Sequence, residues 1–100
     1  MKSIKELVMK ETRPVYIHTP SKALAKDFLK QVEQEGFLFS DGKRPTEKPL
    51  DDYYALHQNM TINYIGFVGR LRYNSNDEGI LRVEYNDLFR ETAQSLRDKH

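Results

Sequence analysis

The chain has 100 residues, 38% of them hydrophobic, which is enough for one modest core and predicts a single domain spanning residues 1–100. Its 16 basic and 15 acidic residues nearly cancel, so the net charge gives no general attraction to nucleic acid or anionic membranes. Cysteine is absent, which excludes disulfides and thiolate chemistry. With neither a signal peptide nor an apolar run of membrane-spanning length, the sequence predicts a cytoplasmic protein without membrane contact.

The first predicted element is a short N-terminal helix. Ser3 and Glu6 have the spacing of a capping box, in which the serine oxygen accepts a hydrogen bond from the glutamate N–H. The helix must end before Pro14, because the residue preceding a proline avoids the helical conformation.

A strand–helix–strand unit follows and forms the centre of the predicted fold. The β-branched and aromatic run Val15–His18 predicts one strand, and residues 37–39 predict the other. Between them, apolar residues recur at spacings of three and four, which is typical of the buried face of a helix: Leu24, Phe28, Leu29 and Val32. Such units close as right-handed parallel crossovers in almost all known sheets.

Residues that are typical of helix ends stand on both sides of this helix. Thr19 is the predicted N-cap, with its hydroxyl accepting from the first turn. Pro20 then occupies the first helical position, where a missing N–H costs nothing. Gly36 is the expected left-handed residue just after the helix.

The second half of the chain is predicted to be mostly strand. Residues 43–49 form a surface loop, and residues 53–57 favour a strand, although a helical turn opened by the two preceding aspartates fits them too. Residues 61–68 have the strongest strand pattern of the chain, in which Gly66 and Gly69 indicate a bulge or a bend.

A hairpin is predicted next. Residues 70–73 and 81–85 alternate between apolar and charged side chains, and the turn-forming residues 74–79 separate them. Asn86 then caps a closing helix with an apolar stripe formed by Leu88, Phe89, Thr92, Ala93 and Leu96. The fold class is therefore α+β: a mixed sheet of four to five strands, a right-handed β-α-β crossover at the start, a short N-terminal helix and a C-terminal helix.

The hairpin supplies the main candidate binding site. The register that buries its apolar residues places Arg72 opposite Arg82 on the exposed face. Like charges directly opposite each other are destabilising, so this pair predicts an external acceptor, either a phosphate or a carboxylate of a partner. Arg70 and Tyr64 are predicted to extend the same binding surface.

A second candidate site lies at the carboxyl end of the first strand. His18, Thr19 and Ser21 stand beside the following helix N-terminus, which can hold an anion. The competing interpretation is a histidine satisfied by local hydrogen bonds.

Motifs for catalysis or for metal binding are missing. Residues 74–79 resemble the first half of a calcium loop, but the twelfth position, which needs a bidentate glutamate, is Tyr85. The sequence predicts no metal, no cofactor and no enzymatic activity.

Three segments resemble small uncharacterised proteins of bacteriophages, prophages and plasmids, chiefly of Gram-positive bacteria. They are Thr19-Pro20-Ser21-Lys22, Gly36-Phe37-x-Phe39-x-x-Gly42, and Tyr54-x-Leu56-His57 continuing through Thr61-Ile62-Asn63-Tyr64-Ile65-Gly66. The resemblance covers roughly residues 15–85. It departs where the phage proteins often have a tryptophan and this chain has Leu38-Phe39. It implies a mobile-element origin and a similar fold, and no functional residues follow from it.

Three function classes remain. The first is a non-enzymatic binding module, an accessory protein of a phage or other mobile element that contacts a host or element protein. The alternative is a nucleic-acid-binding protein that uses the arginine- and tyrosine-rich hairpin face. The third is a small enzyme or nucleotide binder at His18. The sequence does not determine whether the chain forms homo-oligomers.

Overall fold

A computed structural model describes residues 3–88, and in this part of the chain five strands form one mixed sheet. The elements in chain order are α1 (Ile4–Lys10), β1 (Val15–His18), α2 (Lys22–Gln34), β2 (Leu38–Phe39), a 3-10 turn (Pro45–Glu47), β3 (Tyr53–Leu56), β4 (Thr61–Tyr64), α3 (Gly66–Asn74) and β5 (Leu81–Glu84). Residues 85–88 are helical and begin the C-terminal helix. The predicted α+β class, mixed sheet and terminal helices are confirmed. Beyond Leu88, the predicted apolar stripe lies outside the described residues.

The strand order is β2-β4-β3-β1-β5. β1 pairs antiparallel with β3 and parallel with β5, while β3 pairs antiparallel with β4 and β4 pairs parallel with β2. β1 and β2 therefore point the same way but are separated by two strands. The connection through α2 is a crossover between parallel strands that are not neighbours, and its right-handedness stays a prediction.

The core lies between α2 and one face of the sheet. Val15 and Ile17 of β1 are fully buried on this face. From α2, Phe28 is also fully buried, and its ring centroid lies 5.0 Å from that of Tyr54 and 5.3 Å from that of Tyr85. The amphipathic pattern of the central helix is thus confirmed.

The first helix is held by two polar groups at its N-terminus. The Ser3 hydroxyl accepts from Glu6 N at 3.0 Å, which confirms the predicted cap. The Glu35 carboxylate, at the end of α2, accepts from Ile4 N at 3.3 Å and from Lys5 N at 2.7 Å. A carboxylate is stabilised at this position because the unpaired N–H groups make a helix N-terminus positive.

The predicted start of α2 is wrong by two residues. Ser21 is the N-cap, and its hydroxyl accepts from Leu24 N at 3.2 Å. Thr19 is instead fully buried beside the sheet, where its hydroxyl donates to the Asp51 carbonyl at 2.8 Å. The prediction at the other end is confirmed, since Gly36 has a φ of +97°.

The predicted hairpin is wrong as well. β4 ends at Tyr64, Gly66 takes a left-handed φ of +65°, and the chain continues as α3. β5 pairs with β1 and not with residues 70–73. The alternation over four residues was too short to distinguish a strand from a helix.

Residues 53–57 fitted either a strand or a helical turn, and the structure shows a strand at Tyr53–Leu56.

We expect Gly66→Ala to lower the free energy of unfolding by about 1–2 kcal/mol, because a Cβ disfavours the left-handed conformation by that amount. Gly66→Asn is the control, because asparagine tolerates this conformation better than alanine and should recover part of the loss. Urea denaturation measures both variants. Equal stability of Gly66→Ala and the parent would show that the chain does not turn from β4 into α3 in this way.

Candidate functional site

The second face of the sheet is polar and aromatic, and α3 lies against it. The register of β1 with its two neighbours places Tyr16, His18, Tyr53, Arg82 and Glu84 on this face. From α3, the side chains of Arg70, Arg72 and Tyr73 contact them. We call these eight residues the polar layer.

Tyr73 lies at the centre of the polar layer. Its ring centroid is 5.3 Å from that of Tyr53 and 6.1 Å from that of His18. Its hydroxyl donates to the Val83 carbonyl at 3.2 Å, so the side chain fixes α3 to β5. Burial raises the pKa of Tyr73 to about 12.

Two arginines of α3 are held by carboxylates of this chain. Arg70 Nη2 lies 2.6 Å from Asp51 Oδ1, and its guanidinium stands 5.2 Å from the centre of the Tyr53 ring. Arg72 Nε donates to Asp77 Oδ2 at 2.7 Å, and this hydrogen bond raises the pKa of Arg72. Each guanidinium already has an acceptor inside the chain.

The predicted pairing of Arg72 with Arg82 is wrong. Arg82 lies on β5, opposite Tyr16 in the ladder, whereas Arg72 lies on α3. Arg82 Nη1 donates to the Tyr73 carbonyl at 3.2 Å. The like-charge conflict that predicted an external acceptor therefore does not arise.

His18 is satisfied within the chain. Its Nδ1 lies 2.6 Å from Glu84 Oε2, and its ring centroid is 4.6 Å from that of Tyr53. The other oxygen of Glu84 is buried and accepts no hydrogen bond from residues 3–88. A carboxylate beside the imidazole opposes the binding of a second anion.

The other residues of the predicted anion site are also engaged. The Thr19 hydroxyl donates to a carbonyl and that of Ser21 caps α2, so the structure does not bring the two together with His18 around one anion. Tyr64, predicted to extend the arginine surface, lies apart from it. Its ring packs 5.2 Å from Phe39 and 5.7 Å from Tyr54, and its hydroxyl donates to the Pro49 carbonyl.

The outer side of α3 is apolar. Phe67, Val68 and Leu71 are 75%, 77% and 55% exposed, and their spacing makes them neighbours on the helix surface. Gly69 and Tyr73 face the opposite way, toward Ile65 and the sheet respectively. We call the three exposed residues the α3 patch. The sequence pattern does not reveal this patch, because residues 61–68 have the composition of one strand.

No protein-family model, no curated protein and no solved structure matches the chain. The resemblance to phage and plasmid proteins stays a prediction.

Within residues 3–88, histidine and acidic side chains do not gather into a group of three that could hold a metal ion. The helices of this region are each too short or too polar to cross a membrane.

Tyr73→Phe should change how stability depends on pH. Because folding raises the pKa of Tyr73 from 10.0 to about 12, the phenol's contribution is fully present below pH 10 and is lost as the pH rises toward 12. We expect the parent to lose more stability than Tyr73→Phe between pH 8 and about pH 11. Chemical denaturation at the two pH values measures this difference. Equal losses of stability in the parent and in Tyr73→Phe would show that the Tyr73 hydroxyl is exposed to solvent in the folded protein.

Proposed function

We propose that this protein is a non-enzymatic binding domain that contacts another protein through the α3 patch. The observation that supports the proposal is the exposure of Phe67 and Val68, at 75% and 77%. Large side chains with this exposure, next to each other on one short helix, are typical of protein interaction sites.

The orientation of α3 has a physical reason. Its inner side must contact the tyrosine and histidine rings of the polar layer, and Tyr73 does so while donating to a β5 carbonyl. Rotating the helix to bury Phe67 and Leu71 would remove these contacts and would expose the rings. The α3 patch therefore stays outward, and none of the other residues in the described range 3–88 covers it.

The α3 patch alone is smaller than one side of a stable protein interface. At roughly 150–200 Å2 of surface per residue of this size, the three exposed fractions amount to on the order of 350 Å2. Each partner in a stable complex buries about 800 Å2, so a complex formed through this patch must extend onto the surface around it. A partner with an apolar groove can enclose Phe67 and add contacts around the rim. The resemblance to mobile-element proteins supports a host or element protein as that partner.

The nucleic-acid alternative has less support. It depended on arginines aligned on one face of a hairpin, and the two arginines of α3 instead form ion pairs within the chain. Ion pairing to carboxylates lowers the positive potential that phosphates require.

We expect Phe67→Ser combined with Leu71→Ser to abolish capture of the partner while the Tm stays close to that of the parent. Both side chains lie mainly in solvent, and surface substitutions change stability by about 0.5 kcal/mol or less. The measurement is quantitative mass spectrometry of proteins captured from cells that express the tagged chain. A photo-crosslinking phenylalanine at position 67 identifies which captured protein touches α3.

Met9→Ser combined with Leu38→Ser is the matched control, because these side chains are 47% and 43% exposed on other elements. A partner that is lost equally from both double variants does not bind at α3, and the proposal then fails. Self-association in analytical ultracentrifugation that Phe67→Ser and Leu71→Ser remove would identify a second copy as the occupant. A mobility shift of an oligonucleotide by the parent protein would favour the nucleic-acid alternative.

A further inference from the structure

The outer side of α2 has a row of three lysines, Lys22, Lys26 and Lys30, spaced four residues apart. All three are exposed. Residues at this spacing are neighbours on a helix, and like charges there are destabilising. The helix would be more stable with a carboxylate in the row, so folding alone gives no reason for three lysines. We call these residues the lysine row.

The acidic residues of α2 and its C-cap do not compensate the lysine row, because each is engaged by another element. Asp27 accepts from the Tyr85 hydroxyl at 2.5 Å. Glu33 accepts from the backbone N and the hydroxyl of Thr46, at 3.0 and 2.7 Å. The third, Glu35, caps α1. The ion pairs of the described residues include no lysine of the row, which leaves its charge uncompensated.

A groove of about 310 Å3 runs beside the lysine row. Its apolar lining comes from Leu29 of α2 and from Pro49 and Leu50, which lie in the loop between the 3-10 turn and β3. Leu50 is 39% exposed, so part of this lining is accessible. Lys26 and Lys30 also line the groove, as does Lys48, whose ammonium group lies 2.8 Å from Asp41 Oδ2. The groove thus combines an apolar floor with two lysines that have no carboxylate partner.

We propose that this groove binds a short acidic segment of a partner protein. An apolar side chain of the segment enters between Leu29 and Leu50, and neighbouring carboxylates pair with Lys26 and Lys30. Charge complementarity selects an anionic segment, and the groove favours a peptide over a nucleic acid because its lining includes no aromatic ring on which a base could stack. α2 and α3 lie on opposite faces of the sheet, so this site is independent of the α3 patch.

The probe is a synthetic peptide of sequence Glu-Glu-Leu-Leu-Glu-Glu, titrated into the 15N-labelled protein. We expect shifts of the backbone amides around Leu29 and Leu50. Lys26→Gln combined with Lys30→Gln should raise the apparent Kd about fivefold, because two exposed ion pairs are lost. The matched control is Lys5→Gln combined with Lys10→Gln, which removes the same charge from α1 and should leave the Kd unchanged.

Two further titrations test the apolar floor. Replacing the peptide's leucines with serine, or Leu50 with serine, should each weaken binding while the protein's Tm shows that it remains folded. The proposal is wrong if the serine peptide binds equally well, or if both double lysine variants lose the same affinity. It also fails if millimolar peptide moves no amide near the groove, or if a single-stranded oligonucleotide binds there more tightly than the peptide.

Discussion

β1 is hydrogen-bonded on both sides, antiparallel to β3 and parallel to β5, and its four residues alternate between two very different faces. Val15 and Ile17 are fully buried in the core beneath α2. Tyr16 and His18 point the other way, where they lie beside Arg82 and Glu84 of β5 and make this second face polar. Burying a polar group without a hydrogen bond is costly, so the cover of this second face must itself be polar. The position and the orientation of α3 follow from this requirement.

α3 meets the requirement with rings and guanidinium groups. Tyr73 packs beside the rings of His18 and Tyr53, and the Arg72 guanidinium lies 5.9 Å from the centre of the Tyr16 ring. α3 has only nine residues, and Arg70, Arg72 and Tyr73 are already required for contacts with the sheet. Its apolar residues then face solvent, which is the reverse of an ordinary surface helix. An exposed apolar patch on α3 thus arises from an ordinary packing constraint.

The sequence predicted the elements whose signals are local. A capping box indicates α1 and apolar spacing indicates α2, while β-branched and aromatic residues indicate β1 and an alternation of apolar and charged residues indicates β5. Thr19 and Ser21 are both cap-forming residue types, and Pro20 favours Thr19 because proline is common at the first helical position. Only the tertiary structure shows that Thr19 is buried against the backbone near β3.

α3 could not be predicted in the same way. Residues 61–68 have the composition of one long strand, and the change to a helix depends on the left-handed conformation of Gly66, which a sequence permits but does not require. The candidate arginines lie on a helix and a strand and not on one hairpin face, and the two arginines of α3 pair with carboxylates of the chain. Their partners Asp51 and Asp77 come from distant or turn residues, so periodicity gives no indication of these pairs.

The most direct test of this account is the solvent accessibility of methyl groups, measured by NMR as relaxation enhancement from a soluble paramagnetic agent. The account predicts strong enhancement for the methyl groups of Val68 and Leu71, and weak enhancement for those of Val15 and Ile17 in the core. Protection of Leu71 to the level of Ile17 would contradict it, because that result is expected if residues 70–73 form a strand with their apolar side chains in the core.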